Sequence, residues 1–368
     1  ITQTSRKGVF RAPFFETINT IVIYSNNPKI LQLEISSMCN ALCLGCQRVD
    51  PSTYNTVHPA IPKKDIIAVD TIYKLMNSPA MSTVEEIQFC GTIDEPLMHP
   101  YFIEILDIMY ETNPRLEVEI HTNGSLRSVE YWKELAVNLS RFKKHKVLFG
   151  IDGLVDTHSI YRQQTDFETI IRNALHFIRS GGNAEWQYLI FPWNKHQVEE
   201  ARDMSKRLGF KQFKTRNDRS GVSEEGLKVI KEIQKHPVSS KQGSDVSKFN
   251  GYKIDCMNKT EDMFHVSYDS RLWPCCYFGN VRYMGPKLYD EFKQRIFGVY
   301  GEDFNLLTKH TAEEILDSNL YTNDLVESWN NPIGCGKKDK VNRCAMSCSV
   351  KALETRPIAT EHVVTKHF

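Results

Sequence analysis

Three cysteines, Cys39, Cys43 and Cys46, form a C-x3-C-x2-C loop directly after the apolar run at residues 31–35. Thiolates at this spacing suit iron. Three of them can bind three irons of a 4Fe-4S cube, which ordinarily takes four. The remaining iron is open, and can chelate a ligand bearing an amino and a carboxylate group so that it lies beside a redox centre. Structural zinc is the competing chemistry, but zinc favours two C-x2-C-like pairs supplying four ligands, and no fourth ligand lies close by in the sequence.

Four later segments could hold such a ligand. Residues 88–100 place Gly91, Asp94 and Glu95 ahead of Pro96. Residues 119–125 carry Thr122-Asn123-Gly124, residues 150–162 run from Gly150 through Asp152 to Arg162, and residues 190–197 carry Asn194 among the aromatics Phe191 and Trp193. Each has an ordinary explanation as well. Pro96 and Pro100 can frame a helix start, Asn123-Gly124 is a common turn dipeptide, Arg162 can be a solvated helix residue, and aromatics mostly pack in cores.

Taken together, the cysteine loop and these segments resemble the radical S-adenosylmethionine superfamily, with Gly45 where the family usually has an aromatic residue and the second glycine of its Gly-Gly-Glu-Pro segment missing. The resemblance implies that Cys39, Cys43 and Cys46 hold a 4Fe-4S cluster whose open iron binds S-adenosylmethionine. It also implies that Gly91 with Asp94 or Glu95 binds the ammonium of that cofactor, and that Thr122 and Asn123 line its site. Asp152 introduces the arginine segment, Arg162 grips the carboxylate with its planar fork, and Asn194 contacts the adenosine. The implied activity is reductive cleavage to a 5'-deoxyadenosyl radical that abstracts a substrate hydrogen, fed by an external flavodoxin- or ferredoxin-like electron donor.

Downstream, Cys256 is followed by thirteen residues, Ser270, four more residues and Cys275. This resembles the opening of a SPASM or twitch domain, with Ser270 in place of its glycine. Cys335, Cys344 and Cys348 reproduce three positions of that module's C-x2-C-x5-C-x3-C run, and Lys338 occupies the second. The implied auxiliary 4Fe-4S ligands are Cys256, Cys275, Cys344 and Cys348, with Cys276 and Cys335 as alternates. Four thiolates also make a closed zinc site.

Something must position these loops. From residue 29 to 214 short apolar or alternating runs precede longer helical patterns, with strands expected at 30–35, 84–89, 117–121, 146–151, 186–191 and 210–214. Helices fit at 101–110 and 169–179, where apolar residues recur at i, i+3, i+4 and i+7. The expected fold class is α/β, a partial (β/α)6 TIM-like barrel whose functional loops lie at the C-terminal strand ends, with a small α+β auxiliary domain. The expected division is an N-terminal extension at 1–28, the barrel at 29–214, a linker at 215–255 with a helix at 224–235, and the auxiliary domain at 256–368. That last part should hold a hairpin at 262–273 and a helical stretch at 312–329.

The bulk properties narrow the partners. Among 368 residues, 46 basic and 45 acidic side chains nearly cancel, leaving no chain-wide field for nucleic acid or an anionic membrane. No apolar run reaches membrane-spanning length. Ten cysteines in clusters favour metal ligation in a reducing, cytoplasmic compartment over a disulfide scaffold. A small molecule or a peptide is the expected substrate, modified by oxidation, crosslinking or epimerisation. The rivals are a non-catalytic iron-sulfur or zinc protein that carries electrons or scaffolds, and a nucleic-acid-modifying enzyme using the basic segments 141–146 and 202–219.

Overall fold

In the computed structural model, which describes residues 24–90, 92–217, 223–235, 237 and 247–350, the alternating runs become strands of one sheet. The strands β1 (Ile30–Leu33), β2 (Glu86–Phe89), β3 (Glu117–Thr122), β4 (Lys144–Gly150), β5 (Ala184–Ile190) and β6 (Gln212–Asn217) are all parallel and adjacent in chain order. Helices α1 (Val69–Met76), α2 (Phe102–Thr112), α3 (Val129–Leu139), α4 (His158–Tyr161), α5 (Phe167–Arg179) and α6 (Val198–Leu208) fill the crossovers. This is the α/β partial barrel expected from the sequence.

One face of each strand is apolar. Leu31, Leu33, Ile87, Phe89, Val118 and Ile120 share a buried core with Phe102, Ile105, Leu106 and Met109 of α2, the four apolar positions that the helical spacing marked. Helix α5 starts at Phe167, ahead of the expected 169, because the Asp166 carboxylate accepts the Thr169 N–H at 2.8 Å and caps it. The other face is polar. Gln32, Gln88, Glu119 and Lys146 stand side by side in register, Gln32 donates to Gln88 at 3.2 Å, and Glu119 pairs with both Lys146 and His121. A closed TIM barrel fills its interior with branched apolar residues, so the inner wall of this incomplete barrel is hydrophilic instead.

The sheet does not end with β6 and β1. The expected hairpin forms as β7 (Met263–Ser267) and β8 (Arg271–Trp273), and β7 pairs in parallel with β1, Gln32 opposite His265. The C-terminal region therefore continues the barrel sheet on the β1 side, in the order β6-β5-β4-β3-β2-β1-β7-β8. The helical stretch at 312–329 is broken into the helix Ala312–Leu316, opened by a Thr311–Glu314 capping box, and a succession of short turns up to Asn330. Among the described residues no helix is long and apolar enough to cross a membrane.

Within the expected linker, α7 (Glu224–Lys235) is a docked element. Its Leu227 and Ile230 pack with Leu44 of the cysteine loop, Tyr161 and Phe191, and Gln234 donates to the Tyr54 carbonyl at 2.9 Å. Gly91 lies outside the described residues, as do residues 1–23 and 351–368.

Candidate functional site

The cysteine loop leaves β1 at its C-terminal end and is pinned by its own backbone. The Ala41 N–H points at Cys39 Sγ and the Arg48 N–H at Cys46 Sγ, each at 3.4 Å, while Cys46 N–H donates to the Cys43 carbonyl at 2.9 Å. Leu42 and Leu44 N–H groups bind the carbonyls of Gln163 and Tyr161, fastening the loop to the segment after β4. The three thiols lie within electrostatic reach of one another, and burial pushes Cys39 and Cys43 up to about 12 and Cys46 to about 11. Bare thiolates are therefore disfavoured here, and a cation that displaces their protons is what stabilises them.

The two acidic candidates divide their work. Asp94 Oδ2 accepts the N–H groups of Ile35 and Ser36 at 3.1 and 3.3 Å, clamping the chain as it leaves β1, while its Oδ1 is buried without a partner. Glu95 instead reaches β3: Oε1 accepts the Thr122 hydroxyl at 2.6 Å and Oε2 the Asn123 N–H at 2.7 Å. Burial raises the pKa of both, with these hydrogen bonds opposing the rise. Asn123 Nδ2 lies 3.9 Å from Cys39 Sγ and donates to Asn40 Oδ1 at 2.8 Å. Gly124 follows with φ +70°, where a Cβ would stand 2.7 Å from Phe149, so the turn needs glycine.

After β4, Arg162 Nε binds Asp152 Oδ2 at 2.6 Å, and its guanidinium lies over Gly150, where a Cβ would stand 2.5 to 2.9 Å from three guanidinium atoms. The Arg162 charge also lowers the cost of ionising Cys43. Asp152 is held in turn: Oδ1 accepts the Leu189 N–H at 2.7 Å, and its backbone N–H donates to His158 Nδ1 at 3.2 Å. Asn194 is fully buried with its amide used internally, donating to the carbonyls of Asp152 and Leu189 and accepting the Phe191 N–H. It shapes the loop that presents Asp152. The three cysteines, Glu95, Asn123 and Arg162 thus form one site under α7, with Asp94, Thr122, Asp152 and Asn194 supporting it.

The second cysteine set converges elsewhere. Cys256, Cys275, Cys344 and Cys348 line one small cavity with Tyr24, Trp329 and Arg343 among its walls. A hydrogen bond with Cys348 holds Cys256 below the usual thiol range. The alternates are absent from this lining: Cys276 interacts with Glu34, and Cys335 lines a separate surface cavity with Asn250 and Glu291. The resemblance marked the four thiols and the helical pattern marked α7, but nothing in the sequence signalled the docking of α7 or the placement of Trp329 and Arg343.

Both sites fit the groups their residue types imply. At the first, three half-buried thiols stand near an arginine fork and a carboxylate, matching the two ends of an amino acid. At the second, four thiols from separate segments line one cavity, and the buried Trp329 indole N–H is directed at the sulfur of one of them, Cys344. Among the described residues no three Cys, His, Asp or Glu side chains stand at the spacing of a single metal ion.

No protein-family model and no curated protein matches the sequence. Solved structures do match. The structure of native anSMEcpe with bound AdoMet aligns over 90% of this chain and 92% of its own at 15% identity, with a TM-score of 0.52. The same protein with bound AdoMet and Kp18Cys peptide aligns over 79% of this chain and 81% of its own at 17% identity, TM-score 0.50. Against Streptococcus suis SuiB bound to S-adenosylmethionine the identity is 14% over 76% of this chain, which spans 66% of SuiB, with a TM-score of 0.48. At this identity the likeness shows a shared fold: this chain folds as anSMEcpe does, a protein whose structures carry AdoMet.

Proposed function

We propose that this chain is a radical S-adenosylmethionine enzyme with one auxiliary iron-sulfur site. The observation that carries the reading is the meeting of Cys39, Cys43 and Cys46 with Asn123, Glu95 and Arg162 at the C-terminal strand ends. A 4Fe-4S cluster on the three cysteines would supply the electron that cleaves S-adenosylmethionine to a 5'-deoxyadenosyl radical. The chain's own residues bind and orient. Glu95, rather than Asp94, takes the ammonium, because it is the carboxylate near Cys39 while Asp94 is committed to the end of β1. Arg162, steadied by Asp152, takes the carboxylate through charge-assisted hydrogen bonds. Leu227 and Ile230 of α7 keep water from the Cys43 side.

Cys256, Cys275, Cys344 and Cys348 are assigned to the auxiliary cluster. The substrate is a peptide or a polar small molecule that enters along the hydrophilic inner wall, and a hydrogen atom taken from it begins an oxidation, crosslink or epimerisation. The peptide bound to anSMEcpe supports the peptide alternative. A flavodoxin- or ferredoxin-like protein is the proposed electron donor. The test is anaerobic incubation of the iron-loaded protein with dithionite and S-adenosylmethionine. The expected products are 5'-deoxyadenosine and methionine, with deuterium passing into 5'-deoxyadenosine from the labelled substrate. A reduced, four-iron first site that yields neither product, even with cell extract added, overturns the proposal.

A further inference from the structure

The second cysteine cavity has two donors in its wall whose placement the protein alone leaves unexplained. Trp329 sits on the short turn Ser328–Asn330, and its buried Nε1–H is directed at Cys344, where it lowers the cost of ionising that thiol. Arg343 precedes Cys344 on the helix Asn342–Cys348 and is 5% exposed. Its Nε donates to the Tyr277 carbonyl at 3.2 Å, its guanidinium lies 4.9 Å from the centre of the Tyr277 ring, and it makes no ion pair among the described residues. A buried cation without a countercharge is unfavourable, and an anionic thiolate cluster in this cavity would provide that countercharge.

Tyr24 differs from these two. Its hydroxyl lies 3.9 Å from Cys256 Sγ, but it already donates to the Pro274 carbonyl at 2.6 Å.

We propose that Trp329 and Arg343 are tuning residues that raise the reduction potential of the cluster held by Cys256, Cys275, Cys344 and Cys348, biasing it towards taking up an electron. The proposal rests on the assignment of those cysteines to an iron-sulfur cluster. An N–H donated to a ligating sulfur and a fixed positive charge beside it both stabilise the more negative, reduced state. They act on the potential without being ligands.

The experiment is a redox titration followed by electron paramagnetic resonance, on the full chain carrying Cys39→Ala, Cys43→Ala and Cys46→Ala so that only the second site is loaded. Arg343→Gln is expected to lower the reduced-to-oxidised ratio at fixed potential about tenfold, or about 59 mV for one electron. Trp329→Phe should lower it by a smaller factor, Arg343→Lys should recover most of the arginine effect, and Tyr24→Phe should leave it nearly unchanged. Loaded variants whose midpoints equal that of the parent overturn the tuning role while leaving the cluster assignment standing. A parent chain that takes up no iron overturns the assignment, and the tuning role with it. Should a variant fail to load, pulsed resonance of the reduced parent carrying 15N-labelled tryptophan decides: coupling to an indole nitrogen supports the Trp329 contact, and its absence overturns it.

Discussion

The two cysteine sites solve opposite problems. The first takes its three thiols from a single loop, Cys39 to Cys46, and surrounds them with separated charges: Arg162 on Asp152, and Glu95 on the β3 turn. The second gathers four thiols from distant parts of the chain, Cys256, Cys275, Cys344 and Cys348, behind aromatic walls. A local loop that withholds one ligand can keep a reactive position open without the fold depending on it. A long-range set that supplies all four ligands ties remote segments together, so ligand binding there adds directly to folding free energy.

Exchanging one cysteine in each site should break that contrast most visibly. Cys43→Ala is expected to lower 5'-deoxyadenosine formation roughly a thousandfold or more, a barrier increase above about 4 kcal/mol, with little change in melting temperature. Cys275→Ala should do the reverse: cleavage of S-adenosylmethionine persists while the C-terminal region loses much of its thermal stability. Iron analysis and calorimetry on both variants check this. Equal loss of stability in the two would remove the distinction between an open local site and a closed long-range one.

Within the first site, Asp94 and Glu95 can be separated in the same way. On the proposed assignment, Glu95→Gln and Arg162→Lys would each remove one charge-assisted hydrogen bond to the cofactor, worth about 1.5–3 kcal/mol, so affinity for S-adenosylmethionine should fall roughly 10- to 150-fold by calorimetric titration. Asp94→Asn should leave that affinity nearly intact and instead destabilise the fold by about 1–3 kcal/mol, because its carboxylate receives the Ile35 and Ser36 N–H groups. If Asp94→Asn has the larger effect on affinity, the assignment of the two carboxylates is reversed.

That division was not legible in the sequence, where adjacent acids look alike. What separates them is direction: successive residues leaving an extended segment point to opposite sides, and only the three-dimensional positions of β1 and β3 reveal which neighbour each one meets. The helix faces of α2 and α5 and the parallel strands were legible, because periodicity is a local property; the four auxiliary cysteines came from a resemblance in spacing, and their convergence joins segments from 256 to 348. The β1–β7 pairing joins positions more than 200 residues apart, Gln32 and His265, and no local pattern encodes that. Helix α7 looked like part of a linker because its surroundings are polar, yet Leu227 and Ile230 find an apolar seat on Leu44 and Phe191. Gly150 gave no signal either, since its reason is the Arg162 guanidinium twelve residues on. Gly150→Ala should displace that guanidinium and cost about 1–3 kcal/mol, weakening cofactor binding at the first site and leaving iron at the second untouched.

Acid provides the mildest test of the same contrast, because His158 behind the first site and His265 on β7 are both fully buried. Burial and the nearby Arg162 lower the pKa of His158 to about 3, and burial lowers that of His265 to about 4. Below pH 6.5 the unfolded chain binds a proton at each ring that the folded chain does not, so stability falls as the pH drops, by about 1.4 kcal/mol per unit for each histidine. The loss runs from about 6.5 down to about 3 for His158, and to about 4 for His265. The two differ in what protonation severs. His158 Nδ1 accepts the backbone N–H of Asp152, so its charging loosens the residue that steadies Arg162, whereas His265 on β7 has no hydrogen bond to lose and its Nε2 lies 3.8 Å from the buried Glu34 carboxyl, an ion-pair partner for the charged ring. Between pH 6.5 and 5, therefore, global stability should decline while His158 of the folded chain stays neutral and cofactor affinity at the first site holds; affinity should fall only as the pH nears about 3, with the absorbance of the proposed second cluster constant until the chain unfolds. His158→Gln should flatten the pH dependence of stability, measured by urea denaturation, by about 1.4 kcal/mol per unit. An unchanged slope in that variant would mean that the ring is protonated in the folded chain, and that the support of Asp152 does not depend on a neutral imidazole.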